Sequence, residues 1–168
     1  MILAIDPGNT ESGWCLIDED YQIHGMGKDE NQKLAYAIIA NTGYFLKDND
    51  HVVIEMVASY GMAVGQTVFE TCVWIGRFME IFQEDVDYDN LTRMYRKDVK
   101  MNLCGQTRAK DSNITAALID RFSFPRHAAK GGKGTKADPG FFFGFKSDIW
   151  QAYALGVTWL DTNKDLTR

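Results

Sequence analysis

Apolar residues come in short blocks along the first sixth of the chain and at helical spacing beyond it. "ILAID" (2–6), "SGWCLID" (12–18) and "YQIHGMG" (21–27) predict three successive short strands joined by tight turns. Leu34, Ala37, Ile38, Tyr44 and Phe45 recur at near-helical intervals and predict a helix across 30–50. "HVVIE" (51–55) predicts a second apolar strand, followed by a glycine-marked loop over 56–65 and a long apolar helix over 67–83. "LTRMYR" (91–96) predicts a strand, and "KDVKMNLCG" (97–105) a short helix closed by Gly105. "KDSNITAALIDRF" (110–122) predicts a helix opened by Asp111 or Ser112 as cap, and "KSDIWQAYALGVTWL" (146–160) an apolar helix. Between them, 126–145 has no periodicity and is rich in glycine and lysine, the pattern of a basic loop that is mobile without a partner. The acidic run from Glu84 to Asp89 reads as solvated loop, and no internal repeat is present.

Three strands, then helix, strand, helix, strand and closing helices predict an α/β fold with a mixed five-stranded sheet. Its first three strands form an antiparallel meander and its later two join in parallel through helices. A length of 168 residues predicts one domain, 1–168, with a single sizeable core. No apolar run approaches a membrane span, and no basic segment followed by an apolar one opens the chain, so a cytoplasmic protein is expected. Cys15, Cys72 and Cys104 are odd in number, widely spaced and without a C-x-x-C, the pattern of reduced thiols and not of a zinc site or disulfide frame.

The net charge of −5 argues against a polyanion partner, but its distribution argues for one. Residues 96–147 hold eleven lysines and arginines against four acids, a charge of +7, and the remainder carries −12. Such asymmetry suits a polyanion-binding face on an acidic body, or else a solvated basic surface. Lys100, Arg108, Lys110, Lys130, Lys133, Lys136 and Lys146 are the candidate contacts of this stretch to such a polyanion, a nucleic-acid backbone being one. Phe141, Phe142, Phe143 and Phe145 could stack on unpaired bases, though covering the core suits them better.

Three acids sit where acids are costly. Asp6 ends the first strand, Glu55 ends another expected beside it, and Asp148 falls in the first turn of the final helix with Gln151 one turn on, on the same face. Crowded carboxylates repel and are stable only when protonated or neutralised by cations. Hard oxygen ligands without His or Cys favour Mg²⁺, with Mn²⁺ as a substitute, over zinc. Two such ions about 4 Å apart can activate water and stabilise the leaving oxygen in phosphodiester hydrolysis. Asp111 reads as a cap more than a ligand, and His24, His51 and His127 are scattered and carry no catalytic assignment.

"AIDPGNTESGW", "VVIEMV", "AKDSNITAALIDRF" and "GFKSDIWQAYALGVTWL", taken together, resemble the RuvC-type Holliday-junction resolvases, particularly their small phage-encoded branch. The resemblance covers nearly the whole chain. It implies an RNase H-like fold, a divalent-metal-dependent endonuclease acting on four-way DNA junctions, and a homodimer. It implies Asp6, Glu55 and Asp148 as metal ligands and catalytic acids, Lys110 as a lysine near the active site, and Lys100 more loosely as another. The second acid of the final helix in the cellular enzymes falls at Gln151 here, a poorer ligand that bears on the second metal. Three rivals stand beside this reading. An actin-like ATPase or sugar kinase shares the Asp-x-Gly-x-Thr turn but needs a second domain of similar size and a nucleotide, neither expected here. A catalytically weak junction-binding protein and an RNA-processing nuclease of the same fold are the others.

Overall fold

The computed structural model describes residues 1–45, 50–59, 61, 63–83 and 90–163, the side chains of 41–45 and 83 excepted. The acidic run from Glu84 to Asp89 and the side chains of Tyr44 and Phe45 lie outside the described residues. Along β1 (Ile2–Asp6) the first four residues are all buried, because both faces of the strand are covered. Alternation then decides what each residue meets. Ile2 and Ala4 face one layer together with Cys15, Ile17 and Val53; Leu3 and Ile5 face the other with Leu16, Val52 and Ile54.

β2 (Glu11–Ile17) and β3 (Ile23–Glu30) run antiparallel beside β1, and β4 (His51–Met56) and β5 (Leu91–Tyr95) extend the sheet on its other side in parallel. The strand order is β3-β2-β1-β4-β5, the mixed five-stranded sheet expected from the sequence. One face is covered by α1 (Asn31–Phe45) and α2 (Gln66–Gln83), which contribute Leu34, Ala35, Ile38, Ile75, Phe78 and Phe82. The other is covered by α6 (Ser147–Thr162), every residue of which from Ile149 to Leu160 is buried except Gln151. α3 (Arg96–Cys104) and α4 (Asp111–Phe122) pack beside α6. On α2, Phe78 and Phe82 are fully buried, whereas Phe69 and Val73 are 60% and 61% exposed, so the helix is apolar on both sides. Among the described residues no helix is long and apolar enough to cross a membrane.

Where the sequence predicts an aperiodic loop over 126–145, the chain is held by a definite set of turns. α5 (Pro125–Ala128) is followed by Gly132 N–H donating to His127 O, Gly140 N–H to Lys133 O and Phe142 N–H to Gly132 O. Gly134 and Pro139 form an antiparallel bridge across the tip. Gly132 and Gly134 adopt φ of +72° and +66°, which residues with a side chain rarely take. His127 is buried, with Nε2 at 2.8 Å from Asp138 Oδ2. Phe142 and Phe145 are fully buried against each other, Trp150 and Tyr153, while Phe143 is exposed. The phenylalanine run therefore mainly covers the core. Lys130, Lys133 and Lys136 stay exposed on this tip.

Candidate metal centre

The carboxyl ends of parallel strands β1, β4 and β5 lie at one edge of the sheet, where loops leave the backbone open to ligands. The β1–β4 register ends on Ile5 opposite Ile54, so Asp6 and Glu55 are the next residues on each strand. Both continue the alternation of Ala4 and Val53 and so belong to the face that α6 covers. Asp6 is paired across β2 with Gly13. A Cβ built on Gly13 would stand 2.4 Å from the Asp148 carbonyl oxygen and 2.9 Å from its Cβ. The missing side chain at Gly13 is what lets the first turn of α6 descend onto the sheet and bring Asp148 to Asp6.

The turn after Asp6 is fixed from below. Gly8 N–H donates to Ser12 Oγ, Ser12 Oγ to Asn31 Oδ1 at 2.6 Å, and Asn31 Nδ2 to Gly8 O at 2.9 Å. Ser12 and Asn31 are both buried, so this closed ring ties turn, β2 and the start of α1 together.

Burial first, and then the nearby charge of Glu55, push the Asp6 carboxyl well above the usual carboxylate range; Arg96 opposes this, and Asp148 adds to it. Burial raises Glu55 as well, against the pull of Arg96. Acids perturbed by burial and by specific charge partners at one open edge make this a functional-site candidate.

Two cations that the sequence does not single out answer these charges. Arg96, at the start of α3, places Nη1 3.1 Å from Glu55 Oε2 and Nη2 2.9 Å from Asp111 Oδ1. Lys28, paired with Gly13 across the β2–β3 ladder, places Nζ 2.9 Å from Asp148 Oδ2 and 3.1 Å from Glu11 Oε2. Asp111 is thus not the cap expected of it. It is the first residue of α4, and the position before it is Lys110, whose backbone N–H donates to Asn113 Oδ1 at 2.9 Å.

Among the described residues no three His, Cys, Asp or Glu side chains stand around one point as an ion would need. Glu55 and Asp148 are turned to Arg96 and Lys28 instead. The donor chemistry nonetheless suits a hard divalent ion: three carboxylates, and Gln151 Oε1, which is buried without a hydrogen-bond donor. A buried acceptor left in that state is costly and is commonly satisfied by an ion or water.

The basic candidates divide. Lys100, on α3, is near enough to Glu55 to favour its charged form. Lys110 and Lys146 are exposed at the N-terminal boundaries of α4 and α6, the latter two residues from Asp148. Arg108 is exposed in the α3–α4 connection, and Lys130, Lys133 and Lys136 belong to the separate tip of 126–145.

Gly13→Ala puts a methyl group where Asp148 stands. It is expected to cost about 1–3 kcal/mol, the usual range for an overpacked site, and to displace Asp148 from Asp6. A melting curve beside a cleavage assay checks this; an unchanged Tm would mean that α6 does not rest on Gly13.

No protein-family model matches the chain, and no curated protein sequence does. Solved structures do. RuvC of Thermus thermophilus in complex with Holliday junction substrate superposes with a TM-score of 0.65 at 13% identity, over 98% of this chain and 96% of that one. A second Thermus thermophilus RuvC structure gives the same values. The chain has the RuvC fold. The likeness covers 98% of this chain, the strands and helices that carry Asp6, Glu55 and Asp148 included.

Proposed function

We propose that this protein is a divalent-metal-dependent endonuclease that cleaves branched DNA such as Holliday junctions and forks. The supporting observation is that Asp6, Glu55 and Asp148 lie near enough at the carboxyl edge of the sheet for the other two to raise Asp6, in a fold whose solved example is described with Holliday junction substrate. Asp6, Glu55 and Asp148 would hold the metal, with Gln151 offering its amide oxygen. Bound Mg²⁺, or Mn²⁺ in its place, would polarise the phosphodiester and lower the pKa of the attacking water.

The protein's own groups prepare that site. Burial and repulsion from nearby carboxylates raise both Asp6 and Glu55, so a bound cation would favour their charged forms and draw protons from the site. Lys100, near Glu55, and Lys110, at the start of α4, would hold the scissile phosphate, while Arg108, Lys146 and the tip lysines would follow flanking phosphates. A symmetric junction needs two opposed sites, and exposed Phe69 and Val73 on α2 offer an apolar face for a two-fold homodimer. The narrower assignment to the small phage-encoded branch rests on the four sequence stretches quoted above.

A non-cleaving junction binder is the second reading, favoured by neutral Gln151 and by the ion pairs on Glu55 and Asp148. Labelled four-way, forked and linear DNA, each with Mg²⁺ and with chelator, separates the two. Cleavage of branched substrates only with Mg²⁺ supports the nuclease; binding that never becomes cleavage supports the binder. A matching RNA substrate cut faster than DNA would point to RNA processing.

Changing Lys130, Lys133 and Lys136 together to Ala is expected to weaken binding to junction and linear duplex alike. It should flatten the slope of log affinity against log salt by about 2, since each phosphate contact contributes about 0.9. Anisotropy across a salt series measures it. Exposed lysines add little to folding, so Tm should hold. An unchanged slope would place the tip off the DNA.

A further inference from the structure

Arg96 follows directly on β5, so it leaves the sheet at the edge where Asp6 and Glu55 end their strands. Its guanidinium is divided between two unlike acids. Glu55, 14% exposed, lies within the acid cluster; Asp111, 61% exposed, faces solvent from the first turn of α4. Arg96 itself is only 20% exposed, and an arginine is taken that far from water only against a definite negative charge. It cannot shed its proton, so it supplies a fixed positive charge where three carboxylates need one. Lys28 does the same for Asp148 but from a solvent-exposed position, where an ion pair is weak and readily exchanged.

From this we propose that Arg96 is a two-position catalytic residue. In the resting site it occupies Glu55 in place of a divalent ion. When Glu55 turns to the ion, Arg96 remains tethered to Asp111 through Nη2 and presents Nη1 to a non-bridging oxygen of the scissile phosphate. The inference rests on the metal-dependent nuclease reading above. Three features of the structure carry it. The fork has two arms on separate acids, so one arm can be released while the other holds position. The released arm is left half-buried with unmatched N–H donors, which a phosphate oxygen satisfies in the geometry guanidinium prefers. Asp111, exposed on the first turn of α4, not its cap, and coupled to Asp6 and Glu55 only through its charge, is then a positioning residue for that arm.

The experiment measures Mn²⁺ binding without DNA, by electron paramagnetic resonance, on wild type, Arg96→Gln and Arg96→Lys. Single-turnover cleavage of a four-way junction at saturating Mn²⁺ follows, with a melting curve for each protein. Arg96→Gln is expected to bind Mn²⁺ about tenfold tighter, the scale of effect that groups around a metal ligand have on affinity. It is expected to cleave about 100-fold more slowly, as when one donor to a transition-state oxygen is lost. Arg96→Lys keeps the charge but cannot span two acids, so its Mn²⁺ affinity should stay near wild type while its cleavage falls. Unchanged or weaker Mn²⁺ binding by Arg96→Gln overturns the resting position. Tighter binding with wild-type cleavage overturns the working position. If wild type takes up no Mn²⁺, the metal-dependent reading itself falls and takes this inference with it.

Discussion

Asp6→Asn loses junction cleavage by more than about 100-fold, while junction affinity changes only a few-fold and the metal-free protein melts higher than wild type. The first effect exceeds the 10–100-fold seen when merely an outer partner of a metal ligand is removed, because on the proposed function a ligand itself goes. Binding survives because the basic side chains at the α3, α4 and α6 boundaries and on the tip are untouched. The gain in Tm follows from linkage. Burial and the charge of Glu55 hold the folded-state Asp6 carboxyl above its ordinary value. The folded protein then binds more protons than the unfolded chain, and stability falls as pH rises from the ordinary carboxylate range towards that raised value. The amide escapes this loss, so its advantage is present at pH 7 in chelator and vanishes in acid near pH 3. Glu55→Gln and Asp148→Asn share the loss of cleavage. Cleavage retained by any of the three would remove that residue from the site, and an Asp6→Asn protein that melts lower at pH 7 would contradict the electrostatic account.

Phe142→Ala is expected to destabilise the fold by about 3–5 kcal/mol, the range for emptying a large aromatic from a core. For a chain of this size that lowers Tm by roughly 10 °C. Phe142 is fully buried and its ring meets Phe141, Phe145, Trp150 and Tyr153. Its N–H also closes the tip by donating to Gly132 O. Loss of the ring should therefore loosen the lysine tip as well as the N-terminal half of α6. Chemical denaturation measures the loss of stability, and the salt slope of DNA binding the loosening of the tip. A drop in stability under 1 kcal/mol would mean that 126–145 is a surface loop after all.

The site's acids are legible in the sequence because each ends a buried element. Asp6 follows four apolar residues and Glu55 follows three, and period-two alternation then sends both to the same face. Asp148 is legible as a first-turn acid on the most apolar helix, but its nearness to Asp6 depends on Gly13, whose role shows only once α6 is docked. Arg96 and Lys28 are not legible as partners. Each reaches its acid across a register that strand pairing sets, and in one dimension both are ordinary surface cations. The tip of 126–145 escapes for another reason: its order comes from left-handed glycines and a buried phenylalanine, neither of which leaves a repeating period.

The docking of α6 across the sheet also has a consequence in time. Tyr21 meets Asp161 across 140 residues, and Asp148 reaches Gly13, on the strand paired with the one that carries Asp6, over a similar span. Contacts of such long range form late, since the chain between them must be ordered first. A nascent chain in which only the strands have emerged from the ribosome would carry Asp6 and Glu55 but not yet Asp148. During synthesis, then, the three acids would not be gathered until late, and the candidate centre would be completed when the helix lands on Gly13.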